Sequence, residues 1–300
     1  MTIRLLRTLI AVSDSRTFSA AAKVVHVTHA AVSQQMQTLE ADLGIALFDR
    51  STRTPELTPV AHQIIAKARI IVADYDNLVP SALGDGGLTG VISLGALRTT
   101  LTGLTPQAMA ELKLNYPELG LHIRPGLTRT LITEVERGNL DAAIVTKPNL
   151  MPDGVLFREL TQEPMQLIAA PEEPENDPIR LLKTRPFIRF NRSAVLGMVI
   201  ENWLLAKRIR VSETMELDSP EAIGSMVNAN LGVSIVPDLA VKAPDAAAVK
   251  CLRLGADAPH RTLGLIHQES HIKMQAIDEI YAVLAGVIER ATSERSAASR

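Results

Sequence analysis

A chain of 300 residues exceeds one small module and gives room for two or three units that each bury their own core. Its formal net charge of -2 excludes a protein that coats nucleic acid along its whole surface, and its one cysteine, Cys251, excludes an internal disulfide. No stretch reaches the roughly 18 consecutive apolar residues of a membrane span, and the first residues carry charges inside a helical period, unlike a secretory signal, so the expected location is the cytoplasm with no membrane partner. Cys251 lies in a strand-like run and reads as a small buried hydrophobe with no chemistry assigned. The chain opens with Thr2 as a cap and Leu5, Leu6, Leu9, Ile10 and Val12 at helical spacing, a first helix that closes near Ser13 to Ser15.

Ser19 offers the cap of a short second helix, which ends after Val25, and Thr28 caps a third. In that third helix Val32, Met36, Leu39 and Leu43 recur at steps of four, three and four, so one side is buried. His29, Ala30, Ser33, Gln34 and Gln37 fall on the other side, next to Thr28. Small and amide side chains let a helix backbone approach DNA and hydrogen-bond base edges in the major groove. This is a helix-turn-helix. The following IALFDRSTRTPELT alternates around a polar tip and reads as a two-stranded wing, with Arg50 and Arg53 placed for phosphate or the minor groove. From Met1 to Arg69 there are eight Lys and Arg against five acids, a modest excess that calls for two copies on one site.

The stretch FSAAAKVVHVTHAAVSQQMQTLEADLGIALFDR, Phe18 to Arg50, resembles the signature of LysR-type transcriptional regulators over many positions in both spacing and residue type. Two positions depart from it: His29-Ala30 stands where members commonly carry Gln-Pro, and Ala61 where a Gly is usual. The resemblance implies an α+β multidomain fold, with an N-terminal winged helix-turn-helix over 1–58, a long linker and dimerisation helix over 59–82, a hinge over 83–90, and a C-terminal two-lobed α/β effector-binding domain, periplasmic-binding-protein-like, over 91–300. It also implies double-stranded DNA, a homodimer or homotetramer, RNA polymerase and a small-molecule coinducer as partners, with no cofactor or metal.

The residues agree with that order. Thr58-Pro59 is a cap and first-turn proline, and the run after it continues without a breaker. Ile64, Ala68, Ile71, Tyr75 and Leu78, followed by Ala82, form a heptad seam suited to a second copy. Pro80 is expected to end or kink that helix. LGDGGLTG, with four glycines in eight residues, reads as a hinge, since it lacks the strand and Lys-Ser/Thr pair of a phosphate loop.

From Val91 strands alternate with helices, the pattern of α/β lobes, lobe I over 91–162 and 261–290 and lobe II over 163–260. Thr105-Pro106 reads as a helix cap, Ala170 to Pro178 as a solvated loop, Gly232 as the left-handed close of a helix begun at Ser219-Pro220-Glu221, and Ala291 to Arg300 as a disordered tail. Ligands of open α/β sheets collect beyond strand ends near helix starts. That places Arg98, Thr99, Thr100, Thr128, Arg129, Asn191, Arg192 and Ser193 as candidates for an anionic effector. Taken alone, the two lobes also fit a solute-binding protein. An enzyme is disfavoured, because the seven histidines lack metal-ligand spacing and Ser33 has no orienting acid on its face.

Overall fold

The computed structural model describes residues 1–15, 17–49, 56–76, 78, 88–244 and 247–298. Arg50, Arg53, Pro80, Ala82 and positions 83–87 of the expected hinge lie outside these. The chain divides into two compact units, which are taken separately.

In the first unit, α1 (Ile3–Ser15), α2 (Phe18–Val24) and α3 (His29–Leu43) precede a hairpin of β1 (Phe48–Asp49) and β2 (Glu56–Leu57), then α4 (Pro59–Asp76). The cap of α2 is Thr17, not Ser19: Thr17 holds an extended backbone and accepts from the Ala20 amide at 3.2 Å. Thr28 caps α3 as expected, accepting from the Ala31 amide at 3.2 Å, and Gly44 closes it in the left-handed region at φ 67°. The turn between α2 and α3 passes through His26 at φ 53°. Val32, Met36 and Leu39 are fully buried against α1 and α2, each contributing about 1.5–3 kcal/mol. Thr8 on α1 donates to the Gln35 side chain at 2.6 Å and fixes the rotation of α3. Thr58 caps α4, accepting from the Ala61 amide at 3.2 Å, and Ala61 itself is wholly buried, so the methyl that replaces the usual Gly fills core space.

The second unit holds one seven-stranded sheet in the order β10-β6-β11-β5-β3-β4, with β9 also on β6. Here β3 is Gly90–Leu97, β4 Leu119–Gly126, β5 Ala142–Thr146, β6 Val155–Ala169, β9 Ser234–Pro237, β10 Lys250–Arg253 and β11 His260–Gln268. The helices of lobe I are α5 (Leu104–Asn115), α6 (Thr128–Glu136) and the last helix, α10 (Met274–Ala298). Lobe II adds α7 (Pro178–Thr184), a parallel pair of β7 (Pro186–Phe190) and β8 (Ser212–Leu217), α8 (Val195–Ala206) and α9 (Pro220–Asn228). Each lobe has its own apolar core. Strand β6 serves both: it pairs with β11 as far as Pro164 and then, from Met165, with β9 and β10.

Several local expectations change. Helix α5 starts after Gly103 without a side-chain cap, and Thr105 instead donates to Thr100 inside the lobe. Asn230, at φ 57°, turns the chain after α9, while Gly232 lies where a Cβ would meet Pro186 O at 2.5 Å. The Ala170 to Pro178 loop is largely solvated, as expected, but is anchored at one point, since Glu173 is 8% exposed and takes two bonds of 2.9 Å from Arg185. Helix α10 runs on to Ala298, held to the fold where Arg295 bonds Leu239 O, while the hydroxyls of Thr292, Ser293 and Ser296 bond carbonyls four residues back. Cys251 is exposed rather than buried, on β10. The start of α10 is tied to the sheet by Asp141, which accepts from the Ser93 amide at 2.7 Å and pairs with Lys273 at 3.0 Å and His271 at 3.2 Å. Burial pushes the Asp141 carboxyl up, but the bonds from His271 and Ser93 and the bond and charge of Lys273 outweigh it and hold the group below its ordinary range.

Candidate functional site

Helix α3 has two faces of different chemistry. Opposite the buried Val32, Met36 and Leu39, the residues Thr28, His29, Ala30, Gln34 and Gln37 are exposed and Ser33 is half-buried. The face therefore presents amides, one imidazole and small side chains, the kinds of group that can hydrogen-bond base edges. Glu40, on the same helix, accepts from the Leu47 and Phe48 amides at 2.8 and 3.1 Å and so anchors the start of the hairpin. Phe48 meets Phe18 edge to face at 5.1 Å, which fixes the wing to α2.

The α4 seam divides. Ala68 is 2% exposed and belongs to the unit's own core, and Ile64 packs partly against it, because α1 already covers that side of the helix. Ile71, Tyr75 and Leu78 are exposed. Beside them an apolar recess of about 510 Å3 opens between Met1, Leu6, Leu43 and Ile64.

Between the lobes, Thr99, Thr128, Thr146, Arg98, Asp218 and Arg261 surround a small cavity of about 30 Å3. Helices α6 and α8 both begin at it. Ala194 opens α8 with no side-chain cap, so its first amides are left without a side-chain acceptor. That start reaches the end of β7 because residue 197 is glycine: a Cβ there would meet Asn191 O at 2.0 Å. Arg98 of lobe I lies 3.4 Å from Asp218 of lobe II, and Thr102 donates to Glu221 at 2.6 Å, so the lobes clasp on this side. Behind the cavity, where β6 and β11 cross between lobes, Arg261 and Glu163 form a buried pair at 2.6 Å. Glu163 also accepts from the Ala240 amide at 2.7 Å, and Arg261 donates to Thr99 at 2.8 Å.

Of the eight expected cleft residues, Arg98, Thr99 and Thr128 meet at this cavity, and Arg129 and Ser193 line the chamber adjoining it. The other three do not. Thr100 is 2% exposed and bonds Leu97 O. Arg192 is spent on Glu213 and Glu216 of β8, which raise its basicity, and Asn191 accepts from the Ser193 amide in its own turn. Glu163, Asp218 and Arg261 were not foreseen. The one signal was Arg261, a charge in phase with the buried Leu263 and Leu265 on one strand face.

Among the described residues, no helix is long and apolar enough to cross a membrane and no group of three His, Cys, Asp or Glu could hold a metal. A family model described as the LysR substrate binding domain matches residues 85–287, and one described as bacterial regulatory helix-turn-helix protein, lysR family, matches residues 3–62. The chain is 25% identical over 303 residues to the hydrogen peroxide-inducible genes activator of Haemophilus influenzae, covering 96% of this chain and 100% of that one. It is 27% identical over 296 residues to the HTH-type transcriptional regulator IlvY of Escherichia coli, covering 95% and 99%. Among solved structures, a cysteine-to-aspartate variant of full-length OxyR from Pseudomonas aeruginosa matches with a TM-score of 0.75 at 26% identity, covering 95% of this chain and 94% of that one.

Proposed function

The chain belongs to the LysR family of transcriptional regulators, DNA-binding proteins with an effector-binding domain, and from that premise we propose how it reads DNA and what it senses. Two copies in the cytoplasm pair through Ile71, Tyr75 and Leu78, helped by the apolar recess beside them, and so set two copies of α3 on two half-sites. In each, Ser33, Gln34 and Gln37 hydrogen-bond base edges, Thr28 and Ala30 let the helix start approach the groove, and His29 changes the base preference relative to the common Gln. Arg50 and Arg53 of the wing hold phosphates. The observation that carries this reading is the division of α3, with Val32, Met36 and Leu39 fully buried and the polar face exposed.

The effector is an anion held by Thr99, Thr128 and the first amides of α8, with Arg98 released from Asp218 to meet it. A chain with one cysteine cannot close an internal disulfide, so a disulfide within one chain does not supply the signal. Binding shifts the lobes only by the effector's differential affinity for the two arrangements, and that difference is what reaches DNA. The match of the head over residues 3–62 leaves the solute-binding alternative without support. Selection of duplexes from a random pool by the full-length protein tests the reading. An enriched two-fold symmetric site is expected; a pool that stays unenriched with folded protein would sink it.

A further inference from the structure

A larger chamber, of about 530 Å3, adjoins the small cavity, and Thr128 and Val195 line both. It runs between α6 and α8. At the helix starts its walls are polar, from Thr128, Arg129 and Ser193. One turn on they become apolar, through Ile132 of α6 and Met198 and Val199 of α8, and Leu150 adds a further apolar side chain to the lining. Met198 is 43% and Leu150 87% exposed, so apolar side chains face water at a concave site of metabolite size. A second turn on, Glu136 and Asn202 make the far rim polar again, roughly 12 Å along α6 from Thr128 at 1.5 Å per residue. An anion held only at the helix starts leaves this chamber wet.

We propose that the effector is an amphipathic monocarboxylate: its acid group lies at the starts of α6 and α8, and its apolar body lies in the chamber against Ile132, Met198 and Val199. This rests on the anionic-effector reading of the cleft. The carboxylate of Glu136 at the far rim repels a second acid there, which selects against dicarboxylates of the same length.

Calorimetric titration of the full-length protein with acetate, butyrate, hexanoate, octanoate and the eight-carbon dicarboxylate suberate tests it. Affinity should rise by up to about four-fold per methylene and level off as the tail reaches the rim, with suberate at least ten-fold weaker than octanoate. Met198→Gln, which adds no charge, should flatten the dependence on length by lowering octanoate affinity more than acetate affinity, and Leu150→Gln, at a more exposed position, should act in the same sense more weakly. Equal affinity for all lengths, or a length dependence that survives both variants, overturns this inference and spares the anionic cleft. Binding of none of the acids overturns both.

Discussion

On α3 the groups assigned to DNA, exposed except for the half-buried Ser33, lie on a helix whose rotation is fixed from behind, by Val32, Met36 and Leu39 and by the bond from Thr8 to Gln35. At the cleft the groups of greatest interest are already engaged: Arg98 with Asp218, Thr99 with Arg261, and Arg261 with Glu163. A DNA face pre-formed in this way gains its contacts without losing internal ones, so its specificity depends on which side chains it carries. A cleft whose polar groups pair with each other exchanges one set of bonds for another, so its response depends on the difference between them.

The sharpest break in that comparison is at the crossing of the lobes. Arg261→Met leaves Glu163 buried without its cation and should cost about 3–5 kcal/mol in thermal or denaturant unfolding, whereas adding Glu163→Leu should recover most of it. A single variant as stable as the parent contradicts the pairing. Next in size is Asp141→Asn, expected to cost about 1–3 kcal/mol at neutral pH because Lys273 loses its charged partner. The folded Asp141 carboxyl is held low, so its contribution is full above the unfolded aspartate value and is lost as pH falls through the depressed one. Stability curves of parent and variant should therefore converge in acid; a gap that widens there reverses the sign.

Smaller effects separate head from cleft. Arg53→Ala should weaken specific and non-specific DNA binding alike and lower the salt slope by about one, while effector affinity stays unchanged. Asp218→Asn removes an exposed pair and should shift stability by no more than about 1 kcal/mol. By freeing Arg98 it should raise affinity for a carboxylate by roughly 2- to 5-fold, the range such a pair is worth. Weaker carboxylate binding in that variant would mean that Asp218 helps to hold the ligand.

The same contrast explains what was legible in the sequence. The face of α3 follows from a 3.6-residue period within 15 residues, and Gly44 and Thr28 mark its ends, so both its core and its bare side could be read locally. Thr17 and Ser19 are two residues apart and both able to cap; only the extended backbone at Thr17 decides between them. The seam of α4 was legible as a period but not as a partner, because coverage of Ala68 by the unit's own core is a tertiary fact. Arg192 looked like a cleft residue because it follows a strand. Its commitment to Glu213 and Glu216 comes from the parallel pairing of β7 with β8, more than 20 residues away. Glu163 and Arg261 meet across 98 residues, and no local pattern pairs them.

The central claim is that α3 reads sequence through its exposed amide and hydroxyl face. Its most direct test is fluorescence anisotropy of the full-length protein on its selected duplex and on a scrambled one, with Ser33→Ala, Gln34→Ala and Gln37→Ala compared with the parent. Each base-edge contact removed should lower the ratio of specific to non-specific affinity by about 1–3 kcal/mol, with non-specific binding and melting temperature unchanged. A ratio that survives all three substitutions contradicts the assignment.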